Sequence, residues 1–173
     1  MKILLSSILV IFLFSTNQAF SEQKIAFIDM DKIISTSKPG SSILKQLTVL
    51  NNKNLKFLEN EEKKFKEKET KLISQKNIIS ETDFKNKVNK LKSEIKNYNQ
   101  NRNKMLADFN KLKITNTNNL LKLINPILIN FSNEKEIAII FQKKNLVVAK
   151  TQLDITDEVI KIINSEVKEF KIK

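Results

Sequence analysis

The chain contains a single glycine, Gly40, in 173 residues, and this scarcity constrains its fold more than any other feature. Dinucleotide-binding fingerprints and phosphate-binding loops need several residues without a Cβ, because their backbones turn tightly and approach the ligand closely. β-Sandwiches use Gly and Pro at many turns, and this chain has only two Pro. It is instead rich in Lys, Glu, Asn, Leu and Ile, and 29% of its residues are charged, which favours long helices and coiled coils.

The absence of Cys and His from the sequence excludes most catalytic chemistry. It rules out disulfides, thiol nucleophiles, iron–sulfur clusters, imidazole bases and the common zinc sites. The acidic run from Glu59 to Glu69 alternates with Lys, which is typical of a solvated face of ion pairs rather than a metal site. We therefore predict that the protein is not an enzyme and has no catalytic residues, no metal site and no cofactor.

The first 21 residues have the pattern of a secretory signal peptide. Lys2 is followed by an apolar run over residues 3–14, which as a helix spans about 18 Å, too short for a hydrocarbon core of about 30 Å. Small residues at Ala19 and Ser21 then predict cleavage after Ser21. Export combined with a lack of disulfides predicts a periplasmic location.

The positive charge is concentrated in the middle of the sequence. The formal net charge is +12, and it becomes +11 without the signal peptide. Residues 41–125 hold 19 basic and 9 acidic residues, whereas the rest of the mature chain holds 11 and 10. Because nearly all basic residues are Lys in an Asn- and Ile-rich chain, part of this excess reflects an AT-rich codon bias.

The same middle segment has the periodicity of a helical hairpin. Its second half carries a heptad seam with alternating spacings of four and three residues: Phe84, Val88, Leu91, Ile95, Tyr98, Arg102, Met105, Phe109 and Leu112. Such a seam requires a partner helix. The first half repeats apolar residues every seven positions, at Leu58, Phe65, Leu72 and Ile79, with Glu62 and Glu69 between them. We expect these Glu residues to meet the Lys-rich second helix.

The hairpin is predicted to turn near residues 77–80. Ser80 and Asp83 have the spacing of a helix cap and its reciprocal acid. Ile78 and Ile79 are expected either to staple the turn or to be exposed at the tip. Helices of about 35 residues on each side would extend roughly 50 Å.

The two ends of the mature chain are predicted to form one small body, residues 22–40 and 126–173. Strands are expected at 24–29, 136–141 and 146–149, with a final helix over 155–170 capped by Asp154. Ser41 or Ser42 is expected to cap the first arm helix, and Pro126 to kink or restart the returning helix. Since so small a body buries little surface, we predict an oligomer. The predicted fold class is α+β and mostly α: a β-containing body that carries a long antiparallel helical arm over residues 41–125.

This order of elements resembles the Skp/OmpH family of periplasmic chaperones along the whole mature chain. Four segments carry the resemblance: the opening strand at 24–29 with Ile33 and Ile34 behind it, the sequence Ser-Lys-Pro-Gly at 37–40, Ile-Asn-Pro-Ile at 124–127, and Asp-Ile-Thr-Asp-Glu-Val at 154–159. The resemblance implies a homotrimer with a β-barrel-like hub and three tentacles around a cavity. It also implies an ATP-independent holdase that keeps unfolded outer-membrane proteins from aggregating on their way to the outer membrane.

Candidate client-binding residues follow from the composition of the arm. Lys-rich helices attract acidic chains at long range, and exposed apolar side chains add weak contacts. The candidates are Phe57, Leu58, Phe65, Leu72, Ile78, Ile79, Lys63, Lys66, Lys85 and Lys92. The expected partners are unfolded outer-membrane β-barrel proteins and two further copies of the chain, with transient contact with a membrane surface.

Two other functions fit parts of the pattern. A secreted coiled-coil spacer would have the same heptads, but its chain ends need not build one compact hub. A nucleic-acid-binding protein would have basic arms, but the export signal and the single Arg among 31 basic residues argue against it, so no nucleic acid is expected.

Overall fold

The computed structural model describes residues 23–173, so the predicted signal peptide, residues 1–21, and its cleavage site lie outside the described residues. The described chain folds into two strands and four α-helices: β1 Lys24–Ile28, α1 Met30–Thr36, α2 Lys38–Ser74, α3 Glu81–Glu134, β2 Ile137–Gln142 and α4 Thr156–Glu166. Short 3-10 turns lie at Lys143–Asn145 and Thr151–Leu153. None of the helices within 23–173 is both long and apolar enough to span a bilayer. The predicted fold class, mostly helical with a small sheet, is confirmed.

Helices α2 and α3 form the antiparallel arm. They contain 37 and 54 residues, which corresponds to lengths of about 55 and 80 Å. The chain reverses over residues 75–80, and Ser80 caps α3 as predicted, because its Oγ accepts the Asp83 N–H at 3.1 Å and donates to Asp83 Oδ2 at 2.7 Å. Helix α3 continues through Pro126 as one element, so the predicted restart does not occur.

The sole glycine lies in the first turn of α2, where two helices approach closely. Ser37, not Ser41 or Ser42, is the N-cap of α2, and Pro39 occupies the first turn, where the missing N–H costs nothing. A Cβ on Gly40 would lie 2.1 Å from the carbonyl oxygen of Ile34 in α1. Residues 37–40 therefore form a tight helix-to-helix junction that only Gly permits.

The sheet contains two parallel strands, β1 and β2, with Ile25 opposite Ile139 and Ile28 opposite Gln142. The other edge of β1 is bridged by Asp154, and the Ile155 N–H donates to Phe27 O at 3.1 Å. A connection of more than 100 residues, the whole arm, thus separates two adjacent strands.

The strand predicted at 146–149 does not form within the single chain. These residues are irregular, and Val147 and Val148 are 99% and 89% exposed. The physical reason is that a 3-10 turn at Lys143–Asn145 follows β2, instead of a reversal that would bring this segment back onto the free edge of β2. β propensity alone does not form a strand without a paired neighbour.

The final helix is shorter than the predicted 155–170. Helix α4 begins at Thr156 and ends at Glu166, after which the backbone is extended. Asp154 accepts a hydrogen bond from the Thr156 N–H at 3.0 Å, although the N-cap position itself is Ile155. The helix stops because the following residues find other partners: their backbone bonds to side-chain amides of Gln46 and Asn116, and Phe170 and Ile172 pack against the core.

One hydrophobic core joins the two ends of the chain and the base of the arm. Its buried members come from β1, from the four α-helices and from the residue just before α4: Ala26, Ile28, Ile33, Ile43, Leu47, Leu120, Ile124, Ile127, Phe131, Ile155, Val159 and Ile163. The packed body therefore extends past the predicted boundaries at residues 40 and 126, because the first turns of α2 and a long stretch of α3 are part of it.

Candidate binding surface of the helical arm

The two arm helices are joined by a narrow seam that is only half buried. On α3, Phe84, Val88, Leu91, Tyr98, Met105, Phe109 and Leu112 are half-buried, while Ile95 and Arg102 are exposed. Leu58 of α2 is the one fully buried seam residue between Leu47 and Asn116, at 7% exposure. Phe65 packs edge-on against Tyr98, with ring centroids 5.3 Å apart. The heptad pattern thus identifies the contacting faces, but two helices alone leave part of each side chain in contact with water.

Polar contacts between the helices differ from the expected pairing of Glu on α2 with Lys on α3. The ion pair that forms has its Lys on α2 and its Glu on α3, with Lys68 Nζ 2.6 Å from Glu94 Oε2. This hydrogen bond lowers the pKa of the Glu94 carboxyl. Glu62 instead accepts a hydrogen bond from the Tyr98 hydroxyl at 2.8 Å. Burial has the larger effect and this hydrogen bond the smaller one, and both raise the pKa of Tyr98. The expected pairing of Glu62 with a Lys does not occur, because the seam residue opposite Glu62 is Tyr98.

The candidate apolar residues divide into seam and surface residues. Leu58 is buried, and Phe65, Leu72 and Ile79 are half-buried, so these side chains stabilise the hairpin. Phe57 and Ile78 are 49% and 78% exposed and face water. The two turn residues therefore differ: Ile79 staples the tip and Ile78 projects from it. The structure corrects the prediction that Leu58 contacts a client, because packing within the arm buries its side chain.

The candidate lysines all lie on the outside of the arm. Lys63 and Lys66 are exposed on α2, and Lys85 and Lys92 are exposed on α3. The arm surface therefore combines ammonium groups with isolated apolar side chains.

Sequence reasoning missed a basic groove close to the tip. A groove of about 530 Å³ is lined by Lys68, Lys71, Lys87 and Lys90 together with Leu72, Leu91, Glu94 and Gln75. Lys87 Nζ donates to Gln75 Oε1 at 3.0 Å, and Lys68 pairs with Glu94. Three of these lysines directly precede seam residues in the sequence, so the positions beside the heptad would have identified them.

Further exposed apolar residues were also missed along the arm. More than a third of the side chain is exposed at Val49, Leu55, Ile73, Leu106 and Ile114. They do not follow the heptad, so periodicity gives no reason to select them. Scattered along both helices, they offer many small contact points rather than one pocket.

A second apolar surface lies on the body, on the sheet and on the segment that follows it. Ile25, Ile139 and Phe141 of the two strands are more than 40% exposed, and Val147 and Val148, which follow β2 in the chain, are 99% and 89% exposed. The far side of β2 presents backbone groups that no strand within 23–173 pairs. Exposed edges of this kind are templates for another chain.

A polar cluster fixes the opposite edge of the sheet. Lys143 Nζ lies 3.7 Å from Asp29 and 3.8 Å from Asp154, and the Thr156 hydroxyl donates to Asp154 and accepts from the Asp29 N–H at 2.9 Å. Partial burial would raise the pKa of Asp154, but the hydrogen bonds from Thr156, with Lys143 and Lys32 nearby, hold this pKa below its usual range. A hydrogen bond to Asp157 raises the pKa of Lys32. Across residues 23–173, no three carboxylates are grouped as metal ligands would be.

The family model for "Outer membrane protein (OmpH-like)" matches residues 24–163, which is most of the chain. The chain belongs to the OmpH-like family. The match begins with β1, includes the entire arm and ends inside α4. The resemblance inferred from the sequence is therefore confirmed.

Among solved structures, this OmpH-like chain is similar to a crystal structure of a "putative outer membrane chaperone (OmpH-like)" from Caulobacter crescentus CB15. The TM-score is 0.78 at 11% sequence identity, covering 87% of this chain and 89% of that one. At this identity the likeness shows a shared fold. No curated protein matches the chain significantly.

Proposed function

We propose that the protein is an ATP-independent holdase that binds unfolded outer-membrane β-barrel proteins in the periplasm and prevents their aggregation. The observation that carries this proposal is the arm surface, which exposes many lysines together with isolated apolar residues such as Phe57 and Ile78. Membership of the OmpH-like family, whose solved relative is described as an outer membrane chaperone, supports a chaperone role.

Charge and weak apolar contact together suit a client without a fixed shape. The arm carries most of the protein's net positive charge, and charge attraction acts at long range without demanding one geometry. Apolar side chains spread over two helices of about 55 and 80 Å then hold several short segments of a client at once. Each contact is weak, so the client stays mobile and is released without nucleotide hydrolysis.

We also propose that three copies assemble through their bodies into a hub from which three arms extend. The free edge of β2 and the exposed Val147 and Val148 support this assembly. A strand from a neighbouring copy would cover the free edge of β2 or would pair with residues 146–149. The small core likewise gains stability when its exposed sheet is covered.

The alternative of a coiled-coil spacer is less well supported. A spacer has no need for its two ends to pack together, whereas here β1 pairs with β2 and one core joins residues 26–47 with residues 120–163. Such a body fits a protein that positions its arm relative to other copies.

The proposal is tested by light scattering from a denatured outer-membrane β-barrel protein diluted into buffer, with and without the mature chain, beside its mass in solution. We expect suppression at a ratio of one trimer per client, without ATP, and a mass near three times that of one chain. A monomeric mass together with unchanged scattering would refute the proposal.

A further inference from the structure

Residues 167–173 form a tail without helix or strand that packs against the base of the arm. Val167 follows α4 with an extended backbone, and Phe170 and Ile172 pack against the core. Glu169, Lys171 and Lys173 alternate with Phe170 and Ile172 and are exposed. The inward–outward alternation over 169–173 is that of a β-strand, although no strand within 23–173 lies beside it.

Two side-chain amides take the place of a neighbouring strand. Gln46 of α2 donates from Nε2 to Phe170 O at 3.0 Å and accepts the Ile172 N–H on Oε1 at 3.2 Å. Asn116 of α3 donates from Nδ2 to Lys173 O at 3.2 Å and accepts the Lys173 N–H on Oδ1 at 3.3 Å. Each amide therefore uses both its donor and its acceptor on the backbone of the tail, as a strand does.

The site that holds the tail is built by the two helices. Asn116 is 1% exposed, and a further hydrogen bond to Leu112 O at 2.7 Å fixes its orientation. Val167 and Phe170 line one cleft with Leu123, Pro126 and Ile127 of α3. Pro126 thus forms part of the wall beside Phe170. We call Gln46, Asn116 and this apolar wall the tail site.

The contacts of the tail site depend on backbone and on apolar side chains, not on a particular sequence. The four amide hydrogen bonds involve only backbone atoms of the tail, and the charged tail side chains are exposed. Recognition of this kind gives affinity through main-chain hydrogen bonds and selectivity through pockets for alternate side chains. The family match ends at residue 163, before the tail begins.

We propose that the tail site is a binding site for extended segments with apolar residues at alternate positions, and that the chain's own tail is a resident that such a segment displaces. This alternation is the pattern of strands from a β-barrel with one face in lipid. That the displacing segment belongs to an unfolded barrel protein rests on the function proposed above. The binding of extended apolar segments by the tail site does not depend on that function.

The test uses the full mature chain and a fluorescein-labelled peptide with the sequence of residues 164–173. In the variant Phe170→Ser/Ile172→Ser the tail loses its apolar anchors, so the site becomes available. We expect this variant to bind the peptide at least tenfold more tightly than the wild type, measured by fluorescence anisotropy. The matched control is Lys168→Ser/Lys171→Ser, which alters exposed residues of the same tail and should bind like the wild type.

Two further arms make the test specific. A peptide with the same ten residues reordered so that Val, Phe and Ile are adjacent should bind the released variant at least fivefold more weakly. Gln46→Ala in the released variant should weaken binding of the original peptide by a similar factor. Equal binding of both peptides, or no gain over the wild type on release of the tail, would overturn the proposal.

Hydrogen exchange on the wild type provides a measurement that does not depend on the folding of a variant. The amides of Ile172 and Lys173 should exchange at least tenfold more slowly than those of an unstructured peptide, and an excess of unlabelled tail peptide should accelerate them. A denatured barrel protein should also accelerate the exchange of these two amides, over the same concentration range in which it binds. Client binding without faster exchange would refute displacement of the tail but not the holdase function. Unchanged client aggregation together with normal peptide binding would refute only the holdase function.

Discussion

The body and the arm are built from similar residues but are held together in different ways. In the body, Ile33, Ile124, Val159 and Ile163 are completely buried and come from three different helices. In the arm, most seam residues are half-buried, and the helices are also linked by exposed polar contacts such as Lys68–Glu94. The body therefore has the packing of a domain core, whereas the arm has the packing of an isolated helix pair. This difference assigns stability to the body and leaves the arm surface free for binding.

The strongest test of this contrast is Ile124→Ala in the core. We expect a loss of about 3 kcal/mol in the free energy of unfolding, because the substitution leaves a cavity among residues of several elements. Urea denaturation at fixed protein concentration measures it. Ile129→Ala on an exposed face of the same helix is the control and should change stability by less than about 0.5 kcal/mol. Equal effects of the two would mean that the core is not where stability resides.

The second test concerns the junction between body and arm. Gly40→Ala places a Cβ against the carbonyl of Ile34, so α1 must shift, and we expect a loss of about 2 kcal/mol. Ser41→Ala, at the next position of the same helix turn, should be nearly neutral. A Gly40→Ala protein as stable as the wild type would show that α1 does not need this close approach.

The third test concerns the arm seam. Leu91→Ala should cost about 1 kcal/mol, because only part of the side chain is removed from water. We expect the loss to be local: amides around residues 88–98 should exchange faster by about fivefold, while the denaturation midpoint of the body is unchanged. Ile95→Ala, whose side chain is exposed despite its heptad position, should have a smaller effect. A shift of the body midpoint by Leu91→Ala would mean that arm and body unfold together.

The smallest expected effect concerns the polar cluster at the sheet edge. The pKa of Asp154 is depressed in the folded state, so its charge stabilises the fold above the usual value of 3.8 and this contribution is lost as the pH falls through the lower folded pKa. Asp154→Asn should therefore reduce stability at pH 7 by about 0.5 kcal/mol and flatten the decline below pH 4. Asp108→Asn, in an exposed pair with Lys104, is the control. An identical acid decline in Asp154→Asn and the wild type would refute the role of this carboxylate.

Local patterns in the sequence predicted the helices better than the partners of each segment. The heptad at Phe84 to Leu112 identified the packed face of α3, and the Ser80 and Asp83 pair predicted where that helix begins. Residues 146–149 have strand-like composition but do not pair with the free edge of β2 in this chain. Helix α4 ends early because Gln46 and Asn116, over 50 residues away, bond to the tail. Such long-range contacts leave no periodic signal.

The candidate binding residues show the same limit. Periodicity selected Leu58, Phe65 and Leu72, which are seam residues and not the surface. Phe57 and Ile78 are exposed because they lie off the seam, and the basic groove near the tip forms only when two helices bring Lys71 and Lys87 together. Residues beside a heptad are therefore better candidates for binding than residues within it.

The most direct test of the division between a stabilising body and a binding arm compares two charge reversals of equal size. One variant changes Lys63, Lys66, Lys85 and Lys92 of the arm to Glu, and the other changes Lys38, Lys45, Lys122 and Lys161, which are exposed on the body and the arm base. The dissociation constant for a denatured β-barrel protein is measured for both at low and at physiological salt. We predict that the arm variant binds at least tenfold more weakly at low salt and that the other stays within about threefold of the wild type. Equal weakening of the two variants would contradict the account.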